Sequence, residues 1–135
     1  MKRLMSVKNN INVDKLDAMF EMRETFMLRI KSMREGTYPS WPVELSDKKS
    51  QQKLRDVALK GVEEMFEALQ HLKNWKPHRL VENKEFNQDE FLEEVVDAFN
   101  YFFALLVLTG TTSQDLYDAY VKKNEKIHSR LDDGY

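Results

Sequence analysis

The sequence contains no cysteine. That excludes disulfide cross-links and thiolate metal sites, and it fits a reducing compartment. Glycine and proline are scarce, with four and three residues in a chain of 135. So little turn material favours few, long elements, and all-α is the natural class. No run spans a bilayer: the most apolar stretch, Ala98 to Leu108, is short and interrupted by Asn100. The basic start Met1-Lys2-Arg3 is followed by no apolar stretch of the kind a signal peptide needs. Basic excess is missing too, since the net charge is −2 and the pI is near 5.9. A cytoplasmic protein without a nucleic-acid or membrane partner is the expectation. The length suits one domain over residues 1–135, with 1–11 a loosely ordered lead-in.

A local absence matters more. From Glu85 to Val121 every charged residue is acidic. Solvated helix faces usually interleave Lys or Arg, whereas here Glu90 with Glu94 and Glu93 with Asp97 are like-charged at i,i+4. Each such pair costs about 0.2 to 0.5 kcal/mol. A divalent cation is the economical neutraliser, because no basic side chain in the segment can reach these acids locally.

Within that segment, Asn87 to Gly110 reads as a long central helix. Phe91, Leu92, Val95, Val96, Phe99, Phe102, Phe103, Leu105 and Leu106 wrap most of its circumference, so other helices must sheathe it. Glu90, Glu93, Glu94, Asp97 and Tyr101 fall within one arc of about 100°, with Asn100 beside them. Asn87 and Glu90 form a capping-box pattern at its start, and Gly110 marks its end.

Upstream, Asn12 or Asp14 can cap a first helix running to about Arg34, with an apolar, Met-rich face. Gly36, Pro39 and Pro42 break it, giving a loop in which Tyr38 and Trp41 stand out. Trp41 either plugs the end of a bundle or closes over a ligand. Ser46 is the expected cap of a second helix, whose stripe runs from Leu54 to Leu72 and which ends around Asn74-Trp75-Lys76-Pro77. On its wheel Glu64 lies near Val57, Gly61 and Ala68, where small side chains leave room beside a carboxylate. Thr112 and Asp115 start a last helix, whose second half is basic through Lys122, Lys123, Lys126, His128 and Arg130. These charges suit either the helix C-terminus or a phosphate.

Two pairs therefore face each other: Glu64-x-x-Glu67 on the second helix and Glu94-x-x-Asp97 on the third. Residues three apart share a face, so packed helices can bring these carboxylates to one point. Oxygen ligands without His or Cys select Mg²⁺, with Mn²⁺ as a substitute.

At these residues the sequence resembles the all-α, MazG-like nucleoside triphosphate pyrophosphohydrolases, and within them the dimeric dUTPases. The resemblance rests on Glu64-Met-Phe-Glu67, Asn74-Trp75-Lys76, Leu92-Glu93-Glu94-Val95-Val96-Asp97, Tyr120-Val-Lys-Lys123-Asn124, Arg130 and Gly134-Tyr135, with Leu16 to Glu21 similar to the family's first helix. It implies a four-to-five-helix bundle assembled as a homodimer, and Mg²⁺-dependent cleavage of a nucleoside triphosphate to a monophosphate and pyrophosphate. By similarity Glu64, Glu67, Glu94 and Asp97 hold metal, and Glu64 is the base. Lys123, Asn124, Arg130 and Tyr135 would hold the polyphosphate, and Asn100, Trp75 and Arg23 complete the substrate set. The chain departs from the family where Gln and Asn on the first helix are replaced by Arg23 and Met27. It also has Asn100-Tyr101 for a His before an aromatic, and Ile127 and Leu131 for Asn and Gln. Those positions surround the base and sugar, so dCTP, a modified pyrimidine or a broad MazG-like preference stands beside dUTP. A non-catalytic helical interaction module is the alternative of another class.

Overall fold

The computed structural model describes residues 13–134, and among them it contains four helices and no strand. They are α1 (Lys15–Met33), α2 (Lys48–Leu69), α3 (Gln88–Leu108) and α4 (Ser113–Asp132). The all-α class expected from composition is the class observed. No helix of the described residues is long and apolar enough to cross a membrane. The lead-in at 1–11, the alternative cap Asn12 and the terminal Tyr135 lie outside the described residues.

Side chains fix the helix starts. Asp14 accepts from the Asp17 N–H at 3.1 Å, and Asn87 accepts from the Glu90 N–H at 3.1 Å. Thr112 and Asp115 make a complete reciprocal capping box. The cap of α2 is Asp47 rather than Ser46: Asp47 accepts from the Ser50 N–H at 2.9 Å, while the Ser46 hydroxyl donates to Glu44 at 2.9 Å. A carboxylate next in sequence wins the cap once Glu44 has engaged the serine. α2 also stops sooner than its apolar stripe suggests. His71 N–H to Ala68 and Leu72 N–H to Leu69, at 3.1 and 3.0 Å, tighten the end into i→i+3 turns.

The chain forms two compact units, one made of the described residues up to Pro42 together with those from Leu106, the other of Val43–Leu105. In the first unit α1 packs on α4, and the Ser113 hydroxyl donates to the Asp17 carboxylate. Ala18, Phe20, Met27, Val107 and Leu108 are buried. The loop after α1 is strapped to that helix. Arg23 donates to the Tyr38 hydroxyl at 3.4 Å, Lys31 donates to Ser40 at 3.0 Å, and the Trp41 indole N–H donates to Glu24 at 2.8 Å. The Lys31 ammonium also stands 5.2 Å from the Trp41 ring centroid. Trp41 is thus held by α1 side chains. Gly110 ends α3 with φ +77°, and a Cβ there would come 2.9 Å from the Pro42 Cβ, so both conformation and space require glycine.

In the second unit α2 buries Val57, Gly61 and Ala68, and α3 buries Ala98 and Ala104. The room beside Gly61 is filled by the Phe102 ring: a Cβ on Gly61 would lie 2.5 Å from Phe102 Cε1. The glycine therefore admits an aromatic ring from α3, rather than leaving space beside Glu64 as its wheel position suggests. Between α2 and α3, the Asn74 amide donates to the Asn83 carbonyl at 2.7 Å and accepts from the Asn83 N–H at 2.8 Å. This two-bond clamp closes a loop without regular structure.

Candidate active site

The second unit brings the acidic pairs together. One carboxylate oxygen each of Glu64 on α2 and of Glu94 and Asp97 on α3 lie within 4.8 Å of one another. The helical period explains the presentation. Glu94 and Asp97 are one turn apart on α3, and Glu64 projects from the half of α2 that also buries Val57, Gly61 and Ala68. Glu64 and Glu94 are half-buried and Asp97 is exposed. Glu67, one turn along from Glu64, stands beside this trio, and its charge acts on the Glu64 carboxyl.

The electrostatics are one-sided. Partial burial raises the Glu64 pKa above its ordinary value of 4.5. The charges of Glu67, Asp97 and Glu94 push in the same direction. Every charged neighbour that perturbs Glu64 is acidic. Such a set, three carboxylate oxygens within 4.8 Å of one another with no basic or sulfur ligand among them, fits a hard divalent cation that prefers oxygen donors.

The other residues singled out in the sequence are distributed as follows. Asn100 is half-buried on α3, one turn from Asp97. Trp75 lies in the clamped loop, 69% exposed, with the Lys76 ammonium 5.4 Å from its ring centroid. Lys123, Asn124 and Arg130 are exposed on α4, in the first unit. Arg23 is half-buried on α1, its guanidinium 4.9 Å from the Phe26 ring centroid. Met27, expected near the base and sugar from its place in the family pattern, is 0% exposed and serves the core. The Asn74–Asn83 clamp was not foreseen. Its signal was available in two asparagines bracketing a stretch with no helical period.

Carboxylates gathered from two helices of an all-α protein form a group that could hold a metal ion. The model of the family described as dUTPase matches residues 4–135. The chain belongs to this dUTPase family, the all-α, MazG-like one. No curated protein and no solved structure matches it. It is a hydrolase of the nucleoside triphosphate diphosphatase type with dUTP diphosphatase-like activity, and its substrate is a nucleotide.

Proposed function

We propose that the chain is a Mg²⁺-dependent enzyme, with Mn²⁺ as a substitute, that hydrolyses a deoxypyrimidine triphosphate to the monophosphate and pyrophosphate. We place it in the cytoplasm, as a single domain working as a homodimer. The observation that carries this reading is the convergence of Glu64, Glu94 and Asp97 on one point with Glu67 alongside. These four side chains would hold the ion, which when bound neutralises them and polarises the phosphoryl group.

The chain's own residues supply the rest. Glu64, whose proton affinity is raised by its surroundings, accepts the proton of the attacking water, since a base with a raised pKa works nearer neutral pH. Water oxygen joins the α-phosphorus, the α–β bridging bond breaks, and pyrophosphate leaves with the bridging oxygen. Lys123, Asn124, Arg130 and Tyr135 grip the polyphosphate. Charged donors to phosphate oxygens are the strong kind of hydrogen bond. Asn100 can both donate to and accept from a pyrimidine edge, whereas Arg23 only donates, so Arg23 suits a base carbonyl. Trp75 offers a ring for stacking.

Homodimer formation is supported by the many large apolar side chains left exposed, among them Phe26, Phe66, Leu92, Val96 and Leu131. A nucleotide panel assayed for pyrophosphate release with Mg²⁺ tests the whole reading. Turnover of dUTP first, with dCTP second, is expected, and release from no nucleotide would refute it.

A further inference from the structure

The loop between α2 and α3 is anchored at its base by rings and amides. Just past the end of α2, His71 stands edge-on to Phe91 of α3, with ring centroids 6.4 Å apart. At the loop's exit Phe86 packs on the same ring at 5.5 Å. Phe91 lies one turn before Glu94 and about 60° around α3 from it, so the base of the loop adjoins the part of α3 that carries the carboxylates. Beyond the rings, Asn74 donates to the Asn83 carbonyl at 2.7 Å and accepts from the Asn83 N–H at 2.8 Å. The Asn83 side chain in turn accepts from the Glu85 N–H at 2.8 Å. Entry and exit of the loop are thereby held as one piece.

Trp75 follows Asn74 directly, and it has room to move. It is 69% exposed and lines two cavities, of about 1070 Å³ and about 250 Å³. Open space on that scale leaves the ring without the tight packing that fixes a core aromatic. The Lys76 ammonium, 5.4 Å from the ring centroid, is a weak restraint at an exposed site. The placing of the ring therefore passes through its backbone, and Asn74 is where that backbone is tied down. The clamp uses both halves of an amide; a carboxylate accepts only, so it could make just one of the two bonds.

We infer that Asn74 is a positioning residue for the nucleotide: its clamp on Asn83 presets Trp75 for stacking on the base of the substrate. The inference rests on the reading above, in which Trp75 stacks on the nucleotide, and assigns the residue that readies it. A ring left free before binding must be ordered when the substrate arrives, and that cost falls on binding. The chemical step at Glu64, Glu94 and Asp97 does not use the clamp. Losing it therefore removes uniform binding, so that KM rises and kcat is kept.

Four variants test this: Asn74→Ala, Asn74→Asp, Trp75→Ala, and Asn74→Ala combined with Trp75→Ala, each assayed with Mg²⁺ and the nucleotide that the wild type turns over best. Asn74→Ala is expected to raise KM about tenfold, the worth of two modest hydrogen bonds, with kcat within about twofold of wild type. Asn74→Asp, nearly identical in shape, keeps only the bond from the Asn83 N–H and is expected to fall between. The Tm should stay close to wild type, because Asn74 is exposed and outside the helices. Trp75→Ala should also raise KM, and adding Asn74→Ala to it should change KM by no more than about twofold, since no ring is left to position. In a Trp41→Phe background Trp75 is the sole tryptophan, and its fluorescence should respond to the non-hydrolysable α,β-imido analogue of the same nucleotide. If the wild type turns over no nucleotide, the functional reading fails and this inference falls with it. If the wild type is active but Asn74→Ala keeps its KM, loses kcat instead, or multiplies the loss of Trp75→Ala, the functional reading stands and the clamp only shapes the loop. Any of those results, or Trp75 fluorescence blind to the analogue, overturns the inference.

Discussion

Phe102 and Gly61 are matched across α2 and α3: the phenyl ring sits where any β-carbon at residue 61 would have to go, 2.5 Å from Cε1. Glycine within a helix costs about 1 kcal/mol relative to alanine, and the ring's packing offsets that cost. Gly61→Ala would regain helix propensity yet overpack the site, where forced insertions cost about 1 to 3 kcal/mol. A net loss of up to about 2 kcal/mol is expected. The Tm should fall by several degrees, roughly 2 to 8 °C. Adding Phe102→Leu should recover part of the loss, a coupling read from a double-mutant cycle. A Gly61→Ala protein that melts above wild type would show that the ring yields freely.

Convergence of Glu64, Glu94 and Asp97 predicts a metal-dependent gain in stability. An ion that binds the folded chain alone raises stability by about 2.7 kcal/mol at a hundred times its Kd. Millimolar Mg²⁺ or Mn²⁺ should raise the Tm of the wild type. Glu94→Gln and Asp97→Asn should lose most of that rise together with turnover, since each removes a charge from the trio. Relief of repulsion should leave both variants at least as stable as wild type without metal. Retention of full thermal shift by both variants would place the ion elsewhere.

Glu64 also makes stability depend on pH. Its pKa is raised by burial and by the acids around it, so the folded state holds this proton more tightly than the unfolded chain does. The resulting stabilisation is fully present below the ordinary value of 4.5 and is lost as pH rises through the raised value. Metal-free protein should therefore lose stability on going from pH 4.5 upward, and Mg²⁺ should bind better as pH rises because it competes with the proton. Glu64→Gln should flatten both trends. Thermal melts across pH with and without Mg²⁺ give the answer, and an unchanged slope in Glu64→Gln would assign the titration to another group.

The helices and the acid-bearing faces were legible because both follow from period. Apolar recurrence located α3, and the three-residue spacing of Glu64 with Glu67 and of Glu94 with Asp97 put each pair on one face before any packing was known. What meets across helices is not written in period. The same pattern that placed Gly61 near Glu64 on a wheel could not tell that Phe102 fills the notch. Met27 is a second case: its family position suggested the neighbourhood of the base and sugar, and the fold buries it fully, which its place on the apolar face of α1 allowed but did not specify. The caps divided along the same line. Thr112 and Asp115 satisfy each other locally, whereas Ser46 lost its role to Asp47 through a competing bond to Glu44 that no helix pattern encodes.

Arg130 offers a test in which fold and function separate. It is exposed on α4, and it lies seven residues, about two turns, beyond Lys123, so both can present charge on one side of the helix. Little packing depends on either side chain. If α4 merely ends in favourable charges for its own C-terminus, Arg130→Ala should shift the Tm slightly and leave kinetics untouched. If Arg130 grips the polyphosphate as proposed, kcat/KM should fall by about tenfold or more while the Tm and the Mg²⁺-dependent thermal shift stay near wild type. Arg130→Lys should retain the charge but not the planar two-pronged donor, giving an intermediate loss. Raising salt should weaken substrate binding in the wild type more than in Arg130→Ala, because the variant has lost one of the screened charges. Steady-state kinetics at two ionic strengths decide the matter, and a wild-type kcat/KM in Arg130→Ala would remove α4 from the substrate site.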